Sequence, residues 1–183
     1  ERLLTYFDIQ KFFVLPKFFG DSIIFINKDG IFEVGGALDN PQLIAKLSFP
    51  AELIPTIVDL KVNRTGLVFW NSNQIWLVPL TKSRADALPL VQCIYDRGDA
   101  IRNVYWAFKN RYLLIHDGLQ VLVIDAFHPE ARFDVYHMHS VQAEISFDAD
   151  RDILYIRDHL PLEKKYSLFR VALSDIVHEK KEH

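Results

Sequence analysis

The polar breaks between apolar runs of this sequence concentrate charged and imidazole side chains, as in "YDRGD", "HDG" and "RDH". Loops on a rigid scaffold are where binding groups are most often found. Tyrosine and arginine are also enriched among the residues that dominate protein–protein affinity. We therefore expect a polar binding surface with Tyr95, Arg97 and Arg157 as its anchors. The candidate binding residues are Tyr95, Arg97, Asp99, His116, Asp117, Arg157, Asp158 and His159.

Two histidines raise the question of a metal. His137 and His139 are separated by one residue, and side chains two apart on a strand face the same side. A zinc site needs at least a third protein ligand, which His116 or Asp117 could supply, but no spacing in the sequence guarantees one. We predict no metal site and no cofactor, and we interpret the pair as half-exposed residues of an outer strand.

Catalytic motifs are not evident. The chain has no G-x-S-x-G elbow, no P-loop and no H-E-x-x-H motif. Asp96 and Asp99 flank Gly98 and could serve as acid and base on a glycosidic bond. The segment "DADRD" resembles the start of a calcium loop but lacks its glycine and distant glutamate, so we predict a hairpin turn there.

These polar turns recur within a sequence repeat. "SIIFINKDGIFEV" aligns with "GLVFWNSNQIWLV" at an offset of 44 residues, and with "RYLLIHDGLQVLV" after a further 45. A fourth copy, "DILYIRDHLPLEKKYSLFRV", begins 41 residues later. A period of this length is typical of propeller blades.

Each copy predicts four antiparallel strands, since further runs precede and follow the hairpin. The predicted units are residues 10–50, 54–97, 100–140 and 141–175, within one propeller domain or propeller fragment over 1–178 and before a polar tail at 179–183. The runs "LVFW", "YLLI" and "ILYI" are apolar on both faces, which favours blades covered on both sides. A two-sheet sandwich is the competing arrangement.

The fourth unit carries a family resemblance. Its phenylalanine, acidic turn, apolar strand ending in Arg-Asp and apolar closing pair resemble the WD-repeat-like blades of TolB-type β-propellers. The matching positions are Phe147, Asp148, Asp150, 153–156, Arg157, Asp158 and 169–173. This resemblance implies a docking platform within a larger, envelope-associated protein.

Two arrangements of the ends remain open. Residues 1–9 could supply the strand that completes the fourth unit and closes a ring of four blades. Alternatively, the chain is the C-terminal part of a larger ring. A third interpretation is a structural half-ring that self-associates through its open blade edges.

Composition narrows the function classes. Half of the 183 residues are hydrophobic, the formal charge is −3 and the isoelectric point is near 6.2, which does not favour nucleic-acid binding. No apolar run reaches the roughly 18 residues of a membrane helix. Cys93, the single cysteine, is expected to be buried.

The sequence thus predicts a non-catalytic recognition scaffold with a protein partner. The alternative is a propeller enzyme, a hydrolase or lyase acting on a saccharide or peptide at the channel mouth.

Overall fold

The computed structural model of the chain describes residues 8–15, 22–35, 40–80, 88–161 and 165–179. These residues form fifteen β-strands, one 3-10 helix and one α-helix. The first eight strands are β1 Lys11–Leu15, β2 Ser22–Asn27, β3 Gly30–Val34, β4 Gln42–Ala45, β5 Asp59–Val62, β6 Gly66–Trp70, β7 Ile75–Pro79 and β8 Gln92–Tyr95. The others are β9 Ile101–Ala107, β10 Tyr112–Asp117, β11 Gln120–Asp125, β12 Arg132–His137, β13 Glu144–Asp148, β14 Ile153–His159 and β15 Tyr166–Ala172.

The strands assemble into four antiparallel sheets in which neighbours in sequence are neighbours in space. Three sheets have four strands each, in the orders β1-β2-β3-β4, β5-β6-β7-β8 and β9-β10-β11-β12. The fourth has three described strands, β13-β14-β15. The protein is therefore all-β and built from propeller-type blades, as the repeat predicted. Residues 1–7 of the predicted closing strand lie outside the described residues.

Contacts divide the chain into two compact units. One comprises Glu1–Asn71 and Ile75–Cys93, and the other comprises Ser72–Gln74 and Ile94–His183. The first unit buries Leu67, Phe69 and Trp76 in a shared core. Phe49 packs on two of these rings, with centroid distances of 5.8 Å to Phe69 and 5.0 Å to Trp76. Aromatic packing at this separation adds to the free energy gained from burying the rings.

The core of the second unit lies between the third and fourth sheets. Leu114 and Val123 of the third sheet are buried together with Leu154 and Ile156 of β14. Every residue of β10 is buried, whereas β14 buries both faces only in part, because Arg157 is exposed. Burial on both faces explains why the "YLLI" run shows no alternation of apolar and polar residues.

One local prediction is corrected by the structure, and two short helices accompany the predicted strands. Helical segments are present: the 3-10 helix Ala51–Thr56 and α1, Leu173–Glu179. Both are too short for a helical period to emerge from the sequence. Cys93 is exposed, because it lies in β8, whose first two residues face solvent. Among the described residues, no helix is long and apolar enough to cross a membrane.

Candidate functional site

A buried carboxylate organises one end of the second unit. Asp117 ends β10 and is 5% exposed. One of its oxygens accepts the hydroxyl hydrogen of Tyr95 at 2.9 Å. The other accepts the backbone N–H groups of Asp99 at 2.9 Å and Ala100 at 2.7 Å. These three hydrogen bonds satisfy the carboxylate and fix the loop after β8 against the turn after β10.

Tyr95 is held in its neutral form by the same contact. Burial, the hydrogen bond to Asp117 and the negative charge of that carboxylate raise the pKa of Tyr95 to about 12. The phenol therefore stays protonated at neutral pH and keeps donating to Asp117.

The loop between β8 and β9 has a second anchor at Gly98. Its N–H donates to the carbonyl oxygen of Asn73 at 2.9 Å, and the side-chain amide of Asn73 donates back to the Gly98 carbonyl at 3.0 Å. A Cβ at this position would lie 2.7 Å from the Asn73 carbonyl oxygen. Glycine permits this close approach of two backbone segments.

A groove in the second unit lies beside these anchored segments. It consists of two adjoining cavities of about 350 and 420 Å³, and both are lined by Tyr95, Arg97 and Arg132. The first cavity is also lined by Ile94, Asp96, Ile124, Pro129 and Glu130. The second is also lined by Asp99, Asp117, Gly118, Leu119, Gln120 and His137. Hereafter "the groove" denotes these two cavities together.

The two arginines of the groove differ in their contacts. The side chain of Arg97 is 84% exposed, and its Nε lies 3.8 Å from an oxygen of Asp96. Arg132 donates from Nε and Nη2 to Asp134 at 3.2 Å, and from Nη2 to Gln120 at 3.3 Å. Arg132 is thus oriented by its neighbours, while Arg97 extends into solvent.

The arrangement around Asp117 has a counterpart one blade later. Asp158 is fully buried and accepts the Tyr136 hydroxyl at 3.2 Å, with the tyrosine again 22 residues before the aspartate. It also accepts the backbone N–H of His139 at 2.8 Å and lies 3.1 Å from Nδ1 of that ring. Burial by itself raises the pKa of Asp158, but the hydrogen bonds from His139, His159 and Tyr136 outweigh burial and lower it.

These aspartates belong to a repeated feature that the sequence analysis missed. All four blades bury an Asn or Asp at the end of their second strand: Asn27, Asn71, Asp117 and Asp158. The residues lie 44, 46 and 41 apart, close to the period of the repeat. That recurrence was the available signal, since a polar residue recurring at the end of an apolar strand indicates a structural hydrogen bond.

The structure brings together half of the predicted binding residues. Tyr95, Arg97, Asp99 and Asp117 all line the second cavity of the groove. His116, next to Asp117, is only 3% exposed and does not line either cavity. Burial, followed by the positive charge of Arg102, lowers the pKa of His116.

The other three predicted residues lie on β14 rather than in a turn. Arg157 bonds to Glu144 at 2.8 Å and lies 4.6 Å from the ring centroid of Tyr166. The His159 ring meets the same tyrosine at 5.5 Å. Asp158 is buried by the contacts described above. Of the three, none lines the groove.

The two histidines of the predicted pair, His137 and His139, make different contacts. His137 lines the groove, whereas His139 contacts Asp158. Within the part of the chain that the structure describes, no three His, Cys, Asp or Glu side chains are grouped to hold a metal ion. In "DADRD", Asp148 accepts the N–H groups of Asp150 and Arg151, both at 3.2 Å, which is the geometry of a polar turn.

The sequence analysis also missed most of the groove lining. Arg132, Ile124 and Pro129 come from the third sheet and the turn before β12, about 30 residues beyond Tyr95. Only tertiary packing brings them beside β8, so no local pattern could identify them.

No protein-family model and no curated protein sequence matches the chain. Solved structures do resemble it. A Mycobacterium tuberculosis peptidase described as puromycin-hydrolysing superposes with a TM-score of 0.54 at 11% identity, over 88% of this chain and 29% of its own. The N-terminal domain of Nup159 gives a TM-score of 0.48 at 8% identity, over 86% of this chain and 43% of its own. PorZ, a surface component of the Porphyromonas gingivalis type-IX secretion system, gives a TM-score of 0.48 at 11% identity, over 85% of this chain and 20% of its own.

These likenesses concern the fold alone. The chain spans less than half of each of the three chains that it resembles. At such low identity, function does not transfer with the fold.

Proposed function

We propose that this protein is a non-catalytic recognition module that binds a segment of a partner protein in the groove of its second unit. The observation that carries the proposal is the pair of adjoining cavities with Tyr95, Arg97 and Arg132 in common. Tyrosine and arginine are enriched among the side chains that dominate protein–protein affinity.

Preorganisation supports this proposal. Asp117 bonds at once to Tyr95 and to the loop that carries Asp99, and the Gly98–Asn73 pair fixes the same loop. A wall fixed before the ligand arrives loses little conformational entropy on binding. A peptide can therefore bind without ordering this part of the groove.

The broader assignment extends the sequence predictions. We treat residues 1–178 as one propeller domain or a part of one, and the TolB-like character and envelope association of the fourth unit stay predictions. Self-association through blade edges is the rival interaction.

The test is selection of peptide ligands from a displayed random library, followed by fluorescence anisotropy with each selected peptide. We expect Arg97→Glu to weaken binding at least about tenfold, a loss of about 1.4 kcal/mol. Arg64→Glu, in the exposed turn of the first unit, is the matched control and should bind like the wild type. Equal affinity of wild type and Arg97→Glu for every selected peptide would refute the proposal, as would failure to select any peptide.

A further inference from the structure

The first cavity of the groove has aliphatic lining residues. Ile94 and Ile124 are buried residues that nevertheless line the first cavity, and Pro129 lies beside them. A buried aliphatic floor favours an aliphatic side chain of the ligand, because contact removes apolar surface of both molecules from water.

Two arginines line both cavities of the groove. The residues common to both cavities are Tyr95, Arg97 and Arg132, and no carboxylate is among them. Tyr95 adds no charge there, because its pKa of about 12 keeps it neutral.

Each carboxylate of the groove lines one cavity only. Asp96 and Glu130 line the first cavity alone, and Asp99 lines the second alone. Asp117 also lines the second, but three hydrogen bonds already occupy its oxygens. Arg97 and Arg132 are therefore the charged groups that a ligand meets in either cavity, and they favour an anionic group on the ligand.

We propose that the ligand of the groove is a peptide in which a carboxylate neighbours an aliphatic side chain. The aliphatic group binds over Ile94 and Ile124, and the carboxylate accepts hydrogen bonds from Arg97 and Arg132. The planar donor fork of arginine matches the two oxygens of a carboxylate. This inference rests on the proposed function and specifies its ligand.

The orientation of the two arginines agrees with this assignment. Asp134 and Gln120 hold Arg132 from one side, so its position is fixed before a ligand binds. The Nε of Arg97 lies 3.8 Å from an oxygen of Asp96, which is longer than a hydrogen bond. A ligand carboxylate can replace that loose contact at little cost.

Two sources could provide the same chemistry: the C-terminal carboxylate of a peptide chain, or an Asp or Glu side chain within it. Four small probes distinguish the contribution of the carboxylate to binding, the contribution of the aliphatic side chain, and the source of the carboxylate. N-acetylleucine carries both groups, N-acetylleucinamide lacks the charge, and N-acetylglycine lacks the aliphatic side chain. N-acetyl-leucyl-aspartyl amide carries the carboxylate on a side chain instead.

The experiment is an NMR titration of the intact protein with each probe. The readouts are the methyl signals of Ile94 and Ile124 and the Nε–H signals of Arg97 and Arg132. We expect at least one of the two leucine-containing acids to shift both sets of signals, with a Kd at least about fivefold lower than that of N-acetylleucinamide. The acid that binds more tightly identifies the source of the carboxylate.

Arg97→Gln provides the matched variant. This variant should bind the leucine-containing acids no more tightly than N-acetylleucinamide. Its NMR spectrum should remain that of a folded protein, and it should still bind N-acetylleucinamide weakly. The inference is overturned if the acids and the amide bind equally, or if the shifted signals lie outside the groove. If the selected peptides bind through the groove but lack a carboxylate, this inference fails and the proposed function stands.

Discussion

Single residues in this protein carry structural roles that the charge pattern alone would assign to binding. Asp117 and Asp158 are the clearest examples, because each accepts a tyrosine hydroxyl and a backbone N–H from the loop that precedes its own blade. A buried carboxylate without such partners would be strongly destabilising. The two residues therefore stabilise loops, and in the case of Asp117 this keeps one wall of the groove in place.

Replacing the Asp117 carboxylate should loosen the loop that contains Asp99 and Ala100. We expect Asp117→Asn to lower the free energy of unfolding by about 2–3 kcal/mol, since an amide cannot accept all three hydrogen bonds. Tyr95→Phe removes one of the three and should cost about 1–2 kcal/mol. Urea denaturation measures both losses, and hydrogen exchange should show faster exchange of the Asp99 and Ala100 amides in Asp117→Asn.

Asp96→Asn is the control for the Asp117 and Tyr95 variants, because Asp96 is exposed and lies 3.8 Å from its charged neighbour Arg97. Unchanged exchange at Asp99 and Ala100 in the Asp117 variant would show that the loop does not depend on this carboxylate.

His116 makes stability depend on pH. Its pKa in the folded protein is lower than 6.5, chiefly because of burial, whereas the unfolded chain has the ordinary value. Above pH 6.5 both states are neutral. As the pH falls below about 6.5 the unfolded state takes up a proton and the folded state does not, so stability falls until the folded pKa is reached.

His116→Leu should flatten the stability profile below about pH 6.5, relative to the wild type. The measurement is the difference in urea midpoint between the two proteins across this range. Parallel profiles would contradict the assignment of this pH dependence to His116, which is flanked by Arg102 and Asp117.

At the scale of elements, the loop between β8 and β9 depends on close backbone approach. Gly98→Ala would place a Cβ 2.7 Å from the carbonyl oxygen of Asn73, so one backbone segment has to move. We expect a destabilisation of about 1–3 kcal/mol, together with weaker binding of selected peptides. Gly35→Ala is the control, since a Cβ there meets no atom within 4 Å. If Gly98→Ala matches that control in both measurements, the loop is not fixed by this contact.

The fourth sheet has one buried face and one exposed face. Leu154 is fully buried in the core of the second unit, whereas Leu168 on β15 is 73% exposed. Leu154→Ala should cost about 2–5 kcal/mol through the cavity that it leaves. Leu168→Asp should change the urea midpoint little, and a large loss there would show that this face is covered in solution.

At the scale of the whole molecule, the repeat made the fold predictable. The apolar runs and their spacing predicted four-stranded blades, and each run became the buried central strand of a sheet, as "YLLI" did in β10. Hydrophobic periodicity reports which faces are covered, so a strand covered on both sides is identifiable without a structure. The short helices were missed because seven residues or fewer show no clear period.

The sequence could predict the residues of the site only where polar side chains lie close together along the chain. Tyr95, Arg97 and Asp99 share one loop, and the repeat placed Asp117 beside it. Arg132 and Ile124 join them through tertiary packing alone. Charge in a turn also could not distinguish Arg97, which is exposed, from Asp158, which is buried and fully bonded.

The most direct measurement is NMR mapping of the tightest selected peptide bound to the protein. The account predicts nuclear Overhauser contacts from the peptide to the Ile94 and Ile124 methyl groups and to the Tyr95 ring. Contacts confined to the exposed face of the fourth sheet, at Tyr166 and Leu168, would contradict it and place recognition on that sheet instead.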